Sequence, residues 1–436
     1  MTRLGDVCEK IGSGATPRGG KEAYKDAGIP IIRSQNIHDW VFQPDGLAFL
    51  DDEQAESLSN VEVRSNDVLL NITGDSVARA CIVPSERIPA RVNQHVAIVR
   101  AGKEINPTYL LASLQSKKTM LLSLASSGAT RNALTKRMIE NLDIDLPSRE
   151  IQDSIAQVLD SIQYKITLNN RLNDYLLELV SSVFAYRFSN NVNTTELKNV
   201  LSISTKALKP QEHAGEIWEH YSIPAFDENH RPVFEPASGI KSNKYQIDSE
   251  CILISKLNPS TKRIWMPYCS SNNAVCSTEF IVYRPYLKEY KSFYYAAIDS
   301  PRFTDYLLEH VSGSTGSRQR AQSKDTLNYL MPNPGKEEIK DFCTFADPIY
   351  RHIQINEQQT AKLELLRDAL LPKLMSGEID VSKVDLTQLT NNHLAGRMHW
   401  STVIRVRAIH AVHSRQSQIP AYESVPRVLH SHATPP

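Results

Sequence analysis

Apolar positions in this chain follow a pattern that occurs twice. After Pro147, residues at alternating three- and four-residue steps read Ile155, Val158, Ile162, Lys165, Asn169, Leu172, Leu176, Leu179 and Val183. About 187 residues on, after Pro334, the same steps read Phe342, Phe345, Ile349, His352, Asn356, Gln359, Leu363, Leu366 and Leu370. Each seam opens apolar, turns polar in the middle and ends rich in Leu, with an Asn at the same step. An Asn inside a heptad seam weakens pairing but fixes register, because it prefers a polar partner opposite. The spacing predicts two long helices that pair with each other, Asn169 and Asn356 setting the register. The first would run over 147–188 and the second over 334–377, where "MSGEI" supplies a Gly stop.

Ahead of each seam the pattern changes to short strands bounded by turn residues. Both halves open on a helix-like stretch, "LGDVCEKIGSG" and "LKNVLSIST". "GIPIIRSQNI" and "VRSNDVLLNITG" read as strands in the first half, matched by "HYSIPAFD" and "IDSECILISKL" in the second. "NQHVAIVRA" and "CSTEFIVYRP" read as apolar edges of the same sheet. A helix is expected over 108–123 and over 291–309, then a loop of small residues, then a strand ending in Pro. The fold class is α/β (α+β), with tandem domains over 1–146 and 189–333 held by the two paired helices. A period this long is a domain duplication rather than a solenoid.

The end of the chain, 378–436, breaks with this order. From Thr387 on it holds six of the thirteen histidines, five arginines, no lysine and one acid, Glu423. It reads as a disordered or non-native extension. The rival reading makes Arg397, Arg405, Arg407 and Arg415 a phosphate clamp.

Formal net charge is zero, so any nucleic-acid binding must rest on local loops. No signal peptide and no apolar run long enough for a bilayer is read, which points to the cytoplasm. The six cysteines show no CxxC pair and no zinc spacing, so reduced, buried thiols are expected and no metal.

Catalytic motifs fail on inspection. "GATPRGGKE" lacks the phosphate-loop Gly at Ala15 and puts Glu22 where Ser or Thr is required. "NPTY" differs from the NPPY of adenine-N6 methyltransferases at Thr108, and Asn106 with Pro107 reads as a helix cap. "EIK" at Glu338–Lys340 falls on the first turns of the second long helix, without the strand-borne Asp of a nuclease. No catalytic residue is assigned.

The turns instead collect residues that read DNA: Arg and Lys suit guanine and phosphate, Asn and Gln suit adenine edges. In the first half these are Thr16, Arg18, Arg33, Ser34, Gln35, Asn36, Thr73, Arg79, Asn93, Gln94, His95, Thr130, Arg131, Asn132 and Lys136. In the second they are Lys206, Lys209, Lys256, Asn258, Lys262, Arg263, Ser277, Thr278, Arg318, Gln319, Arg320 and Lys324. Any one of them suits a solvated loop; their recurrence at equivalent turns favours the sets. "SGATRN" and "SGSTGSRQR" are the strongest candidates, since Gly allows close approach and basic residues follow at once.

These segments resemble the specificity subunit of type I restriction–modification systems, the HsdS family. The resemblance covers residues 1 to about 385. It rests on "LGDV…GSGATPRGG…GIPIIRSQNI", "NDVLLNITG", "NQHVAIVRA", "SGATRNALTKRMIENLDIDLPSREIQDSIAQVLDSI" and "LRDALLPKLMSGEI". It implies two target-recognition domains joined by two long antiparallel coiled-coil helices, each domain reading one half of a split asymmetric DNA site. It also implies spacer helices that dock methyltransferase subunits, while restriction/translocase subunits cut. S-adenosylmethionine, ATP and magnesium would belong to those partners, with no cofactor in this chain. Helices of about 36 residues would be roughly 54 Å long, more than one DNA turn of about 34 Å. Two other readings stand beside it: a coiled-coil interaction scaffold, and a specificity subunit made defective by its aberrant C-terminus.

Overall fold

In a computed structural model that describes residues 1–126, 132–312 and 319–381, the chain forms two compact units. One comprises Met1–Ser161 with the segment from Leu370, and the other is Ile162–Ala369. The boundaries fall inside the two long helices, Arg149–Phe188 and Lys336–Met375, so each helix contributes a stretch to both units. At 40 residues each they are about 60 Å long. No helix among the described residues is long and apolar enough to cross a membrane. The arginine-containing tail lies outside the described residues.

The duplication is explicit in sheet topology. The first unit has a four-stranded antiparallel sheet ordered Cys8–Ser13, Val96–Ala101, Val68–Asn71, Ala80–Ile82. The second unit repeats it as Leu201–Ser204, Phe280–Pro285, Ile252–Ser255, Ile264–Trp265. Each unit adds a mixed sheet with one parallel pair, Ile29–Ile32 beside Ala90–Val92 and Ile217–Tyr221 beside Ala274–Ser277. In each case the antiparallel neighbour of the first member is the next strand, Ala48–Leu50 or Val233–Pro236.

Burial explains why the central strands read as unbroken apolar runs. All four residues of Val68–Asn71 and of Ile252–Ser255 are buried, as expected for strands covered on both faces. Leu253 points into a core shared with Tyr221, Cys276 and Phe280. Ile252 and Ile254 point the other way, into a cluster with Phe184, Phe188, Phe293 and Phe342. Those four rings pack edge-on or tilted, with centroids 5.2–5.9 Å apart, the geometry ring quadrupoles favour.

Several sequence expectations need correction. "SIPAFD" is not strand: Ser222 caps a helix over Ile223–Asn229, its hydroxyl accepting from the Ala225 N–H. Val96–Ala101 and Phe280–Pro285 are interior strands, not edges, because each is paired on both sides. The expected single helices are each two, Pro107–Ser116 with Lys118–Ser126, and Lys291–Ile298 with Pro301–Glu309. In the second case Ser300 caps and Pro301 lacks the N–H needed to continue a helix.

The long helices pair antiparallel within the second unit, in a different phase from the heptads read off the sequence. The buried positions are Ile162, Ile166, Asn169, Asn173, Leu176, Val180, Phe184 and Phe188, opposite Phe342, Ala346, Tyr350, Ile353, Asn356 and Thr360. Ile162, Asn169 and Leu176 were in the predicted seam; Lys165, Leu172 and Leu179 flank it, and Leu366 is 47% exposed. Asn169 and Asn356 do not meet. Asn169 Nδ2 donates to Gln359 Oε1 (3.1 Å) and Thr360 Oγ1 (3.3 Å), and Asn356 Nδ2 donates to Asn173 Oδ1 (2.8 Å). Antiparallel order puts each Asn one turn from the other; Gln359 lies on the heptad steps, whereas Thr360 and Asn173 do not.

One consequence is a pH-dependent stability. Glu357, next to Asn356, has its carboxyl pushed up to about 7 by burial, against the pull of Arg231. The folded chain then keeps a proton that the unfolded chain releases near 4.5, so stability falls as pH rises from about 5 through 7. Of its neighbours, Asp299 is also raised by burial and adds to the trend; Tyr268, Tyr295 and Tyr350 are raised out of the window. Glu357→Gln is expected to melt higher than the parent at pH 8, by up to about 3 kcal/mol of stability. The gap should shrink toward pH 5; a gap independent of pH in calorimetric scans would refute the assignment.

Candidate nucleic-acid interface

In the first unit the turns at one end of the two sheets converge through a chain of polar contacts. Thr16 Oγ1 donates to Gln94 Oε1, the Gln94 amide meets His95 Nε2, and His95 Nδ1 lies 2.7 Å from Thr73 Oγ1. Backbone bonds carry the line onward: Gly74 N–H donates to Asn132 O (3.2 Å), and Thr73 forms a bridge with Ala133. This end of the small-residue loop is therefore fastened to the turn after the central strand Val68–Asn71. Gly14 explains the glycine-rich opening without phosphate chemistry. A Cβ there would lie 2.1 Å from Val92 O, so only Gly lets this segment run against the sheet.

The second unit repeats the fastening. Leu257 bridges Arg320, Asn258 N–H donates to Gln319 O (2.9 Å), and Ala321 N–H donates to Lys256 O (2.9 Å). Thus the loop before each long helix is tied, by backbone, to the turn that follows each central strand. Arg320 itself forks onto Glu279 at 3.1 and 3.3 Å. Ser277 Oγ accepts from Glu279 N–H, with Thr278 between them half-buried.

The structure divides the nominated residues into two groups. Arg18, Gln35, Gln94, Asn132, Lys136, Lys206, Lys209 and Lys324 are exposed, and Thr16, Thr73, Arg79, His95, Lys256, Asn258 and Gln319 are half-buried at the same turns. A second group serves the scaffold. Asn36 is fully buried and donates to Gln43 O and Asp45 O while accepting from Arg33 N–H. Arg33 donates to Gly46 O, Ser34 O accepts from Asn71, and Asn93 accepts the His95 N–H. Lys262 is paired with Asp299 at 2.5 Å, and Arg263 forks onto Asp227 at 2.5 and 2.9 Å. A side chain whose donors are already used inside the protein gains little by contacting a base, since it must first break those bonds. Lys209 and Lys136 pair with exposed acids, Glu212 and Glu140, at 3.2 and 3.4 Å; such surface pairs are weak and readily exchanged. Thr130, Arg131 and Arg318 lie outside the described residues.

Asn71 was missed. It ends the central strand fully buried, its Nδ2 donating to Ser34 O (2.9 Å) and Ser76 Oγ (3.1 Å), so it locks two of the turns together. A polar residue closing the run "VLLN" was the available signal. Among the described residues no group of three or more His, Cys, Asp or Glu could hold a metal ion.

Comparison with known proteins agrees with this architecture. Residues 1–178 match the family described as "Type I restriction modification DNA specificity domain". The type I restriction enzyme MjaIX specificity subunit of Methanocaldococcus jannaschii is 22% identical over 419 residues, 88% of this chain and 94% of that protein. A second protein of that organism, named for the specificity subunit of the enzyme MjaX, is 23% identical over 178 residues, and the match spans only 41% of its length and 39% of this chain. A crystal structure of the type I restriction–modification S subunit from M. genitalium superposes with a TM-score of 0.50 at 16% identity, covering 86% of this chain and 95% of that one, which speaks for the fold. Residues 1–178 therefore match the type I restriction modification DNA specificity domain, and the chain as a whole is similar to type I specificity subunits.

Proposed function

We propose that this chain is the DNA sequence-specificity subunit of a type I restriction–modification complex, each unit reading one half of a split site. The observation that carries the reading is the repeated fastening just described. Two copies of one scaffold carry exposed or half-buried Arg, Lys, Asn and Gln at their turns, and both hold the loop before the long helix against the turn after the central strand. A rigid platform with polar, cationic side chains at its rim is what base reading requires. In this reading the chain performs no catalysis; methylation and cleavage belong to partner subunits.

The long helices suit the role of docking surface. Tyr164, Tyr175 and Tyr186 are 49–72% exposed, and steps of eleven residues return to one helix face. Leu365 and Leu366 add exposed apolar area on the other helix. An interaction scaffold that dimerises through its seam is a weaker account, because Asn169, Asn173 and Asn356 are already bonded between the chain's own two helices.

Replacing residues 1–146 with those of another family member tests the proposal. Mapping adenine methylation in cells that supply the modification subunits should show one half-site changed and the other intact. Change in both halves, or in neither, would refute modular reading.

A further inference from the structure

The turn after the central strand carries an arginine at the same place in both units. Asn71 and Ser255 end the two central strands, and their N–H groups donate to Arg79 O and Arg263 O, each at 2.8 Å. Each arginine immediately precedes the strand that returns beside the central one, Ala80–Ile82 or Ile264–Trp265. Their guanidinium groups are in opposite states. Arg263 forks onto Asp227 at 2.5 and 2.9 Å, and its side chain is only 11% exposed. Asp227 lies on the helix Ile223–Asn229, between the paired strands Ile217–Tyr221 and Val233–Pro236. In the first unit the equivalent stretch, between Ile29–Ile32 and Ala48–Leu50, forms no α-helix. Its two acids are engaged elsewhere, Asp39 by Lys118 and Asp45 by Gln43. Arg79 is half-buried, and its guanidinium has no hydrogen-bond or ion-pair partner among the described residues.

The backbone of Arg79 is nonetheless held on several sides. Besides accepting from Asn71, Arg79 donates its own N–H to Ser76 O at 3.2 Å, and Ala78 N–H donates to Asn71 O at 2.9 Å. The other described arginines of the turns do not combine these traits. Arg33 bonds to Gly46 O, Arg320 forks onto Glu279, and Arg18 is exposed. A planar fork of unused N–H groups on a fixed backbone suits the paired O6 and N7 acceptors that guanine shows in the major groove. We propose, on the DNA-reading role given above, that Arg79 is a specificity-determining residue that reads a guanine in the first half-site. Its equivalent, Arg263, is withheld from the second half-site by Asp227. The two turns share a scaffold and are unequal readers.

The test maps adenine methylation in cells that supply the modification subunits, the first half-site being the one that residues 1–146 dictate. Arg79→Gln and Arg79→Lys should both lose the preference for one guanine–cytosine pair in that half by about tenfold, the worth of a forked base contact. The second half-site should stay intact. Arg263→Gln should leave the sequence of both halves as it is. Purified Arg79 variants should melt with the parent chain, because the guanidinium bonds to no described residue; a merely structural residue would shift melting and leave the sequence alone. Selectivity retained in Arg79→Lys would overturn the proposal, since a phosphate contact needs the charge and not the fork. So would a second half-site relaxed by Arg263→Gln. A parent chain that marks a split site, with a first half that ignores Arg79→Gln, would overturn the role of Arg79 and leave DNA reading standing. A parent chain that marks no split site would sink both.

Discussion

Asp67→Ala is expected to destabilise the first unit by about 3–5 kcal/mol, the usual cost of removing one partner from a buried ion pair. The Asp67 side chain is inaccessible to solvent and Arg100 is 13% exposed. Two parallel bonds join them, Nε to Oδ1 at 2.7 Å and Nη2 to Oδ2 at 2.8 Å, and Oδ2 also accepts the Arg64 N–H at 2.7 Å. Alanine would leave the guanidinium in place with only the Glu62 carbonyl, 3.2 Å away, as acceptor. The loss is a third or more of the stability of an ordinary domain. Asp67→Asn should cost less, because one oxygen still accepts. The second unit holds the related pair Arg284–Asp248 at 2.8 Å, with side chains 33% and 52% exposed. Arg100 and Arg284 both follow the residue that faces the start of the central strand, Val99 opposite Val68 and Tyr283 opposite Ile252. Solvent screens this second pair, so Arg284→Ala should cost about 1 kcal/mol or less. Urea titrations of the three variants give the comparison, and an Asp67→Ala loss below about 1 kcal/mol would mean that water reaches the first pair as well.

That pair illustrates what the sequence could and could not convey. Duplication was legible because apolar period, turn residues and Pro positions recur at a fixed offset, and these depend on local chemistry. The helix ends were legible for the same reason: Lys336–Met375 stops where Gly377 takes a φ of +74°. The phase of the helix seam was not. A Leu-rich helix offers two adjacent stripes, and the choice of Asn173 over Leu172 depends on which residue the antiparallel partner brings opposite. The candidate interface shows the same limit. Asn36, Asn93, Lys262 and Arg263 have the residue types of base readers, yet their donors or acceptors already meet partners within the protein. Sequence states that a polar side chain sits at a turn; only the folded chain shows whether that turn needs it. Asn71 is the converse case, a residue that joins the turns at Ser34 and Ser76 and carries no DNA-reading signature of its own.

Lengthening both long helices by one heptad is expected to lengthen the recognised site without changing either half. Seven residues add about 10.5 Å of helix, or roughly three base pairs at ~3.4 Å each. A heptad also returns the added residues to the same seam, since paired helices repeat every 3.5 residues. The helices run antiparallel, with Asn169 beside Thr360 and Asn173 beside Asn356, so insertions after Lys165 and after Leu363 fall at facing levels. Both insertions together preserve those polar contacts. One alone shifts every contact on one side of it by two turns, leaving polar groups buried without partners at about 1–3 kcal/mol each. The single insertions should therefore lower stability and abolish modification, whereas the double insertion should restore both with a longer gap between half-sites. Sequencing of methylated adenines reads the gap directly. An unchanged gap in a stable, active double insertion would show that the helices do not measure the DNA, and the spacing would have to be set by the recognition units themselves.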